Sequence, residues 1–116
     1  MPPLAPPGFI FPIVWAILYL LMGISYYLYK KNNKVFSNTD LIYYIQLIVN
    51  LLWTIIFFVF ELKFFSIIWI ILLLILVIYL IVLFFKDNKI SAYLNIPYLI
   101  WITFATYLTI SIYLLN

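Results

Sequence analysis

Two amide side chains, Gln46 and Asn50, lie one helical turn apart inside an uncharged and strongly apolar stretch, and Thr54 continues their spacing. Trp53 stands beside them. An unpaired amide in hydrocarbon costs several kcal/mol, so these side chains are predicted to point into a protein interior. There they could hydrogen-bond a ligand or a neighbouring helix, and the spacing favours neither role.

Residue types exclude most other kinds of site chemistry. The chain has no Cys and no His, which excludes a thiol enzyme, a disulfide scaffold and Cys/His ligation of zinc or haem. Its acidic residues are Asp40, Glu61 and Asp87, and all three are predicted to lie in loops with solvated structural roles. General acid–base catalysis needs a titrating group near the substrate. We therefore predict no enzyme activity, no metal and no cofactor.

The elements that hold the amides are predicted to be membrane helices. Of the 116 residues, 70% are hydrophobic and 8% are charged, whereas about a quarter of a soluble domain is charged. The charges fall in three clusters, which leave uncharged stretches near residues 10–29, 41–60, 64–85 and 90–115. Each stretch has roughly the 20 residues that a helix needs to cross a bilayer.

The predicted fold class is therefore all-α, an integral membrane helical bundle with four transmembrane helices. Short connections make neighbouring helices antiparallel. Residues 1–116 are predicted to form a single transmembrane bundle, and residues 1–9 are a Pro-rich lead-in that cannot be helical.

The lysine positions predict the orientation of the bundle. The first and third connections hold five of the six lysines, and positively charged loops stay in the cytoplasm. Both termini are therefore predicted on the non-cytoplasmic side. The net charge of +3 then reflects topology, and a chain without Arg is not expected to bind nucleic acid. Frequent Ile, Asn and Lys are typical of an AT-rich genome and indicate a bacterial cell membrane, with the lipid bilayer as a partner.

Helical spacing groups aromatic residues on the first and fourth predicted helices. One face of the first helix carries Phe11, Trp15, Tyr19, Met22 and Tyr26. Pro97 is predicted to kink or start the fourth helix, and the face beyond it carries Tyr98, Trp101, Ala105, Leu108 or Thr109, and Ile112. The third helix is almost entirely aliphatic. It is predicted to be a lipid-facing wall without function, with Trp69 as an interface anchor.

Three segments together resemble one protein family. They are PPLAPPGFIFPIVWAILYLLMG at residues 2–23, YYIQLIVNLLWTIIFF at residues 43–58, and ISAYLNIPYLIWITFATYL at residues 90–108. In order and spacing they resemble the opening of the second helix, the third helix and the fifth helix of the translocator protein family. That family is also called the tryptophan-rich sensory proteins or the peripheral benzodiazepine receptor family. The resemblance spans nearly the whole chain.

The resemblance implies a membrane ligand-binding or sensory protein that holds tetrapyrroles such as protoporphyrin IX, or similar flat hydrophobic ligands, within a helical bundle. Sterols and benzodiazepine-like drugs bind some members. Matching by motif, together with the hydrogen-bonding capacity of Gln46, gives as candidate ligand-binding residues Trp15, Tyr19, Gln46, Asn50, Trp53, Tyr98, Trp101 and Ala105. Each stacking contact of a porphyrin with a Trp or Tyr ring would add about 0.5–1.5 kcal/mol beyond area burial.

Departures from the family pattern leave a first alternative open. The chain is expected to begin in the loop after the family's first helix, so that the bundle comprises helices two to five of five and one wall is open. Leu4 stands where the family has Trp, and Thr109 stands where it has Asn. A truncated, non-binding structural or regulatory subunit is therefore an alternative to the ligand-binding protein.

A small-molecule transporter is the second alternative. Proton-coupled exporters of similar length need a carboxylate within the membrane, and none is predicted here, but a passive route for porphyrins stays open. A homo-oligomer also stays open as a partner. Residues 41–60 contain no Gly, Ala or Ser, so they lack the small-residue repeat that brings membrane helices close together.

Overall fold

The structure, a computed structural model, describes residues 8–115 as helices joined by short connections. In chain order they are α1 (Ile10–Asn32), α2 (Asn38–Thr54) with a π-helical continuation (Ile55–Val59), α3 (Lys63–Asp87), α4 (Lys89–Leu94) and α5 (Ile96–Leu115). Within residues 8–115, four spans are long and apolar enough to cross a bilayer, with α4 and α5 forming one of them. The predicted all-α membrane bundle is thus confirmed. Residues 1–7 of the predicted lead-in lie outside the described residues.

The connection between α1 and α2 is held by a buried carboxylate. Asp40 Oδ2 accepts hydrogen bonds from the backbone N–H of Ser37 at 2.8 Å and from Ser37 Oγ at 3.1 Å, which caps the start of α2. Asp40 Oδ1 accepts from Tyr26 OH at 2.6 Å and pairs with Lys30 Nζ at 3.1 Å. The prediction of a solvated Asp40 is therefore wrong, because its side chain is fully buried and ties α1 to α2.

At its other end, α2 widens into the π-helical segment before the chain turns. The backbone N–H of Phe60 donates to the carbonyl of Ile55 at 3.1 Å, which is the wide hydrogen bond of a π turn. The chain then passes through Glu61, whose φ of 55° lies in the left-handed region. The wide turn shifts the side chains that follow Thr54 around the helix axis, relative to ordinary α-helical spacing.

The centre of the bundle is α3, which packs against α2, α4 and α5. Its inward face is fully buried and consists of Ile70, Leu73, Val77, Leu80 and Phe84. Trp69 donates a hydrogen bond from Nε1 to the Val49 carbonyl of α2 at 2.9 Å. The prediction of a lipid-facing wall with an anchoring Trp69 is wrong for this face, because aliphatic side chains suit a protein interior as well as lipid.

The interruption between α4 and α5 falls at Asn95, so Pro97 lies in the first turn of α5. This agrees with the prediction that Pro97 kinks or starts a helix. Asn95 is fully buried, and its Nδ2 donates to Ser25 Oγ of α1 and to the carbonyl of Ser91, both at 2.9 Å. Ser91 Oγ in turn donates to the Ser25 carbonyl at 2.6 Å. These hydrogen bonds hold α1 against α4.

The backbones of α1 and α2 do not pack as closely as those of α1 and α4, and long side chains bridge them instead. The rings of Tyr26 and Tyr43 stack with centroids 4.2 Å apart. Further along, Tyr19 reaches Asn50 with a hydrogen bond of 2.7 Å. Nearer the start of α1 the space between the two helices is an open groove. The gap between α1 and α2 is therefore filled by side chains at the lysine-bearing end and open at the other end.

Candidate ligand site

Three tryptophans from three helices surround a cavity in the half of the bundle away from the lysine-bearing connections. Trp15 of α1 and Trp101 of α5 meet edge to face, with ring centroids 6.3 Å apart, and Trp53 of α2 completes the set. The cavity has a volume of about 100 Å³. Its lining is nearly all apolar and consists of Phe11, Trp15, Trp53, Phe57, Phe58, Trp101, Ala105, Leu108, Thr109 and Ile112.

The π-helical segment adds two phenylalanines that are missing from the predicted site. Phe57 stacks on Trp53 with centroids 5.2 Å apart, and Phe58 meets Phe57 edge to face at 4.9 Å. Phe57 follows Trp53 by four residues and would share its face in any α-helix. A π turn contains one residue more than an α turn, and this brings Phe58, five residues after Trp53, to the cavity. In the sequence, these two Phe residues stand at the end of the segment at residues 43–58, and that position could have identified them as site residues.

A larger groove opens beside the cavity, between α1 and α2. Its volume is about 910 Å³, and it shares Phe11, Trp15 and Phe58 with the cavity. The rest of its lining consists of Gly8, Pro12, Tyr19, Leu51, Thr54 and Ile55. Leu51 and Ile55 are exposed on the outer surface of a membrane-spanning helix. The groove is therefore open toward the lipid.

A chain of hydrogen bonds joins α1, α2 and α5 one turn nearer the lysine-bearing end. Tyr19 OH donates to Asn50 Oδ1 at 2.7 Å, and Asn50 Nδ2 donates to Tyr98 OH at 2.7 Å. Tyr98 OH donates to Gln46 Oε1 at 2.9 Å, and Gln46 Nε2 donates to the Tyr43 carbonyl at 2.8 Å. The two amides and Tyr98 are buried, and their polar groups satisfy one another. Gln46 and Asn50 therefore join neighbouring helices, which is one of the two roles that their spacing allowed.

Two indole N–H groups in the cavity wall lack a hydrogen-bond partner among residues 8–115. They are Nε1 of Trp53 and Nε1 of Trp101, and both atoms are buried. Leaving a buried donor unpaired costs roughly 1–3 kcal/mol. A ligand that brought an oxygen or nitrogen acceptor to this wall would recover part of that free energy.

Five of the eight predicted site residues line the cavity or the groove, and three line neither. The cavity wall contains Trp15, Trp53, Trp101 and Ala105. Tyr19 lines the groove together with Trp15. The three that line neither space belong to the hydrogen-bonded chain and are Gln46, Asn50 and Tyr98. Their hydrogen bonds join the helices that carry the cavity wall. Their direct contact with a ligand stays a prediction.

The fold and the site define a small all-helical integral membrane protein with a tryptophan-lined cavity that continues into a lateral groove. The model of the TspO/MBR family matches residues 1–115. The chain belongs to this family, which consists of membrane sensory and translocator proteins.

Individual relatives match along almost the whole chain. The Tryptophan-rich protein TspO of Archaeoglobus fulgidus is 39% identical over 114 residues, which cover 96% of this chain and 72% of the relative. The protein of the same name from Chlorobaculum tepidum is 35% identical over 118 residues, with the same two coverages. Protein CrtK of Rhodobacter capsulatus is 33% identical over 120 residues, which cover 99% of this chain and 74% of the relative. None of these names describes an enzymatic reaction.

Proposed function

We propose that this protein binds a flat, largely apolar ligand of the porphyrin type in the aromatic cavity and groove, and acts as a ligand-binding or sensory protein of the membrane. The observation that carries the proposal is the convergence of Trp15, Trp53 and Trp101 from three helices on one space that continues into the groove. Membership of the TspO/MBR family supports the sensory or translocator class of function.

The dimensions of the two spaces support a ligand shared between them. The cavity of about 100 Å³ is smaller than ordinary ligand pockets, which measure roughly 300–1,000 Å³. The groove of about 910 Å³ falls within that range. A flat macrocycle could therefore lie in the groove and insert one edge beside Trp15 and Phe58, which border both spaces.

Aromatic stacking would supply most of the affinity. Each ring contact adds about 0.5–1.5 kcal/mol beyond area burial, so three or four contacts with burial support a micromolar Kd, which corresponds to about −8 kcal/mol. The unpaired indole N–H groups of Trp53 and Trp101 favour a ligand that carries acceptor atoms. No lysine among residues 8–115 lines either space, so the carboxylates of a porphyrin would point outward to the membrane surface.

Binding without catalysis is the activity that these residues favour. Among the described residues, no acidic or basic side chain lines the cavity or the groove. General acid–base catalysis and proton-coupled export both need such a group. Asp40 is buried, but it lies at the junction of α1 and α2 and is paired with Lys30.

A titration with protoporphyrin IX in lipid nanodiscs tests the proposal. Porphyrin absorbance is the readout, because replacement of a Trp does not alter that signal. Trp15→Leu should weaken binding about tenfold, or 1.4 kcal/mol, because its ring borders both spaces. Ala105→Leu should also weaken binding, because the longer side chain fills the small cavity without removing any hydrogen bond.

Tyr79→Leu and Thr103→Leu are the matched controls, since both side chains are exposed and line neither space. Both should bind like the parent, and thermal unfolding of each variant separates lost affinity from lost folding. Binding that fails to saturate, or that is equal in the parent and all four variants, would contradict the proposal. The non-binding structural subunit would then be the better interpretation.

A further inference from the structure

We propose that the lysine-bearing end of the bundle binds the headgroups of anionic phospholipids, a role that is independent of the aromatic site. This end comprises the connection between α1 and α2, the connection between α3 and α4, and the turns of these helices that adjoin the two connections. It contains five of the six lysines and two of the three acidic residues, so it holds the whole formal charge of +3. The connection at the opposite end contains Glu61 and Lys63 and is neutral.

Four of these lysines are exposed at the ends of the helices, and they are Lys31, Lys34, Lys86 and Lys89. The fifth, Lys30, is paired with the buried Asp40. Lys31 Nζ lies 5.9 Å from the centroid of the Tyr27 ring. That contact holds the lysine stem along the last turn of α1 and keeps its charge at the level of the helix end, where lipid headgroups lie.

A hydrogen bond holds the α3–α4 connection against the last turns of α1. Asn88 Nδ2 donates to the Leu28 carbonyl near the end of α1 at 3.3 Å. Lys86 and Lys89 flank Asn88 in the sequence, so they lie beside the end of α1 that carries Lys31. Lysines that are far apart in the sequence are therefore gathered at one end of the bundle, where their charges together attract an anionic headgroup.

The same area contains one exposed acidic residue. Asp87 and Lys34 line a shared polar hollow between the two connections. Asp87 offsets one lysine, and the four exposed lysines leave the surface positive. An anionic headgroup is thus attracted, whereas a zwitterionic headgroup gains little.

Exposed apolar side chains favour a lipid over a free phosphate ion. Val35 and Phe36 follow Lys34, and they are 83% and 64% exposed. A free anion would use the lysines and leave both apolar side chains in water. A phospholipid would contact the lysines through its phosphate and cover Val35 and Phe36 with its glycerol and acyl groups.

Native mass spectrometry of the purified protein in detergent tests the proposal by counting retained lipids. Phosphatidylglycerol and phosphatidylcholine with identical acyl chains are offered in equal amounts, and the parent should retain phosphatidylglycerol preferentially. A lysine near an anionic surface contributes about fivefold in affinity. Lys34→Gln should therefore reduce the preference several-fold, and the combined variant Lys31→Gln, Lys34→Gln, Lys86→Gln and Lys89→Gln should abolish it.

Lys63→Gln is the matched control, because it removes a lysine from the opposite end and should keep the parent's preference. Phe36→Ser should lower the retention of both lipids without changing their ratio. Equal retention of the two lipids by the parent, an unchanged preference in the combined variant, or an equal loss in Lys63→Gln would each overturn the proposal. Displacement of phosphatidylglycerol by inorganic phosphate would also overturn it. Circular dichroism verifies that each variant is folded.

Discussion

Tyr98 joins two amides in the membrane interior. Its hydroxyl accepts a hydrogen bond from Asn50 and donates one to Gln46. Tyr98→Phe would keep the ring in place beside Trp15 but would leave one amide donor and one amide acceptor without this partner. A buried unsatisfied group costs roughly 1–3 kcal/mol, and hydrogen bonds between membrane helices average nearer 0.6 kcal/mol. We therefore expect the free energy of unfolding to fall by about 1–2 kcal/mol.

Thermal unfolding in detergent measures this loss as a lower midpoint. Tyr79→Phe is the control, since Tyr79 is exposed on α3 and should unfold like the parent. Because Tyr98 lines neither the cavity nor the groove, its variant should keep more porphyrin affinity than Trp15→Leu does. An unchanged midpoint for Tyr98→Phe would show that the chain of hydrogen bonds does not stabilise the bundle.

Glu61 stores backbone strain at the turn between the π-helical segment and α3. Its φ of 55° brings Cβ close to the following carbonyl oxygen, which costs roughly 1–2 kcal/mol for a residue other than glycine. Glu61→Gly removes this clash but gives the unfolded chain more freedom, so we expect a net gain in stability of about 0.5–1 kcal/mol.

The unfolding midpoint of Glu61→Gly should therefore rise. Glu61→Gln removes the charge and keeps Cβ, so it should match the parent and isolate the backbone effect. A glycine variant that unfolds at or below the parent's midpoint would rule out strain at this turn as a source of instability.

At the residue scale, the sequence predicts which side chains face inward better than it predicts what they touch. Trp53 and Asn50 are correctly placed in the interior, because helical spacing and the cost of a polar group in lipid decide that question. Whether an amide meets a ligand or a tyrosine depends on which helices become neighbours. Phe58 was missed because a π turn, not an α turn, carries it to the cavity.

At the element scale, one carboxylate connects the end of α1 to the start of α2. Asp40 accepts hydrogen bonds from Ser37 and Tyr26 and pairs with Lys30. Asp40→Asn keeps the size of the side chain but removes the charge, so the Lys30 pair is lost and the hydrogen bonds weaken. Since hydrogen bonds to charged groups contribute about 1.5–3 kcal/mol, we expect the free energy of unfolding to fall by about 2 kcal/mol.

Equilibrium unfolding followed by circular dichroism measures the effect of Asp40→Asn. Asp87→Asn is a matched control, because Asp87 is exposed at the same end of the bundle. Its stability should stay within about 0.5 kcal/mol of the parent's, as for most surface changes. Equal losses in the two variants would mean that the net charge of this end, and not the junction, decides stability.

The sequence predicts the existence of the helices well, because clusters of charge bound each apolar stretch. The prediction for the first span ended near residue 29, whereas α1 runs to Asn32 and includes two lysines in its last turn. That extension is favourable, because lysine stabilises the carboxyl end of a helix. The central position of α3 was not predictable, since its aliphatic sequence is equally compatible with lipid and with a protein core.

At the scale of the whole molecule, the two ends of the bundle differ in form and in charge. The lysine-bearing end is closed by Asp40 and by the stacked rings of Tyr26 and Tyr43. The other end holds all four tryptophans and the groove between α1 and α2. This division agrees with the two proposals, which place a lipid headgroup at the lysine-bearing end and a flat apolar ligand at the other.

The orientation of these two ends can be measured directly. We predict that the lysine-bearing end lies in the cytoplasm, because it holds five of the six lysines. The four spans within residues 8–115 would then place Gly8 and Leu115 together on the opposite side of the membrane. The chain has no Cys, so a single introduced cysteine can be labelled without background. Asn38 and Glu61 are suitable positions, because each is exposed and they lie at opposite ends.

A membrane-impermeant maleimide applied to intact spheroplasts should therefore modify Glu61→Cys. It should modify Asn38→Cys only after the membrane has been opened. The reverse pattern would mean that the bundle is inverted, and labelling of both variants in intact spheroplasts would mean that both orientations occur. The outcome also decides which leaflet supplies the headgroups, because the anionic lipids that attract lysines are those of the side on which Asn38 is found.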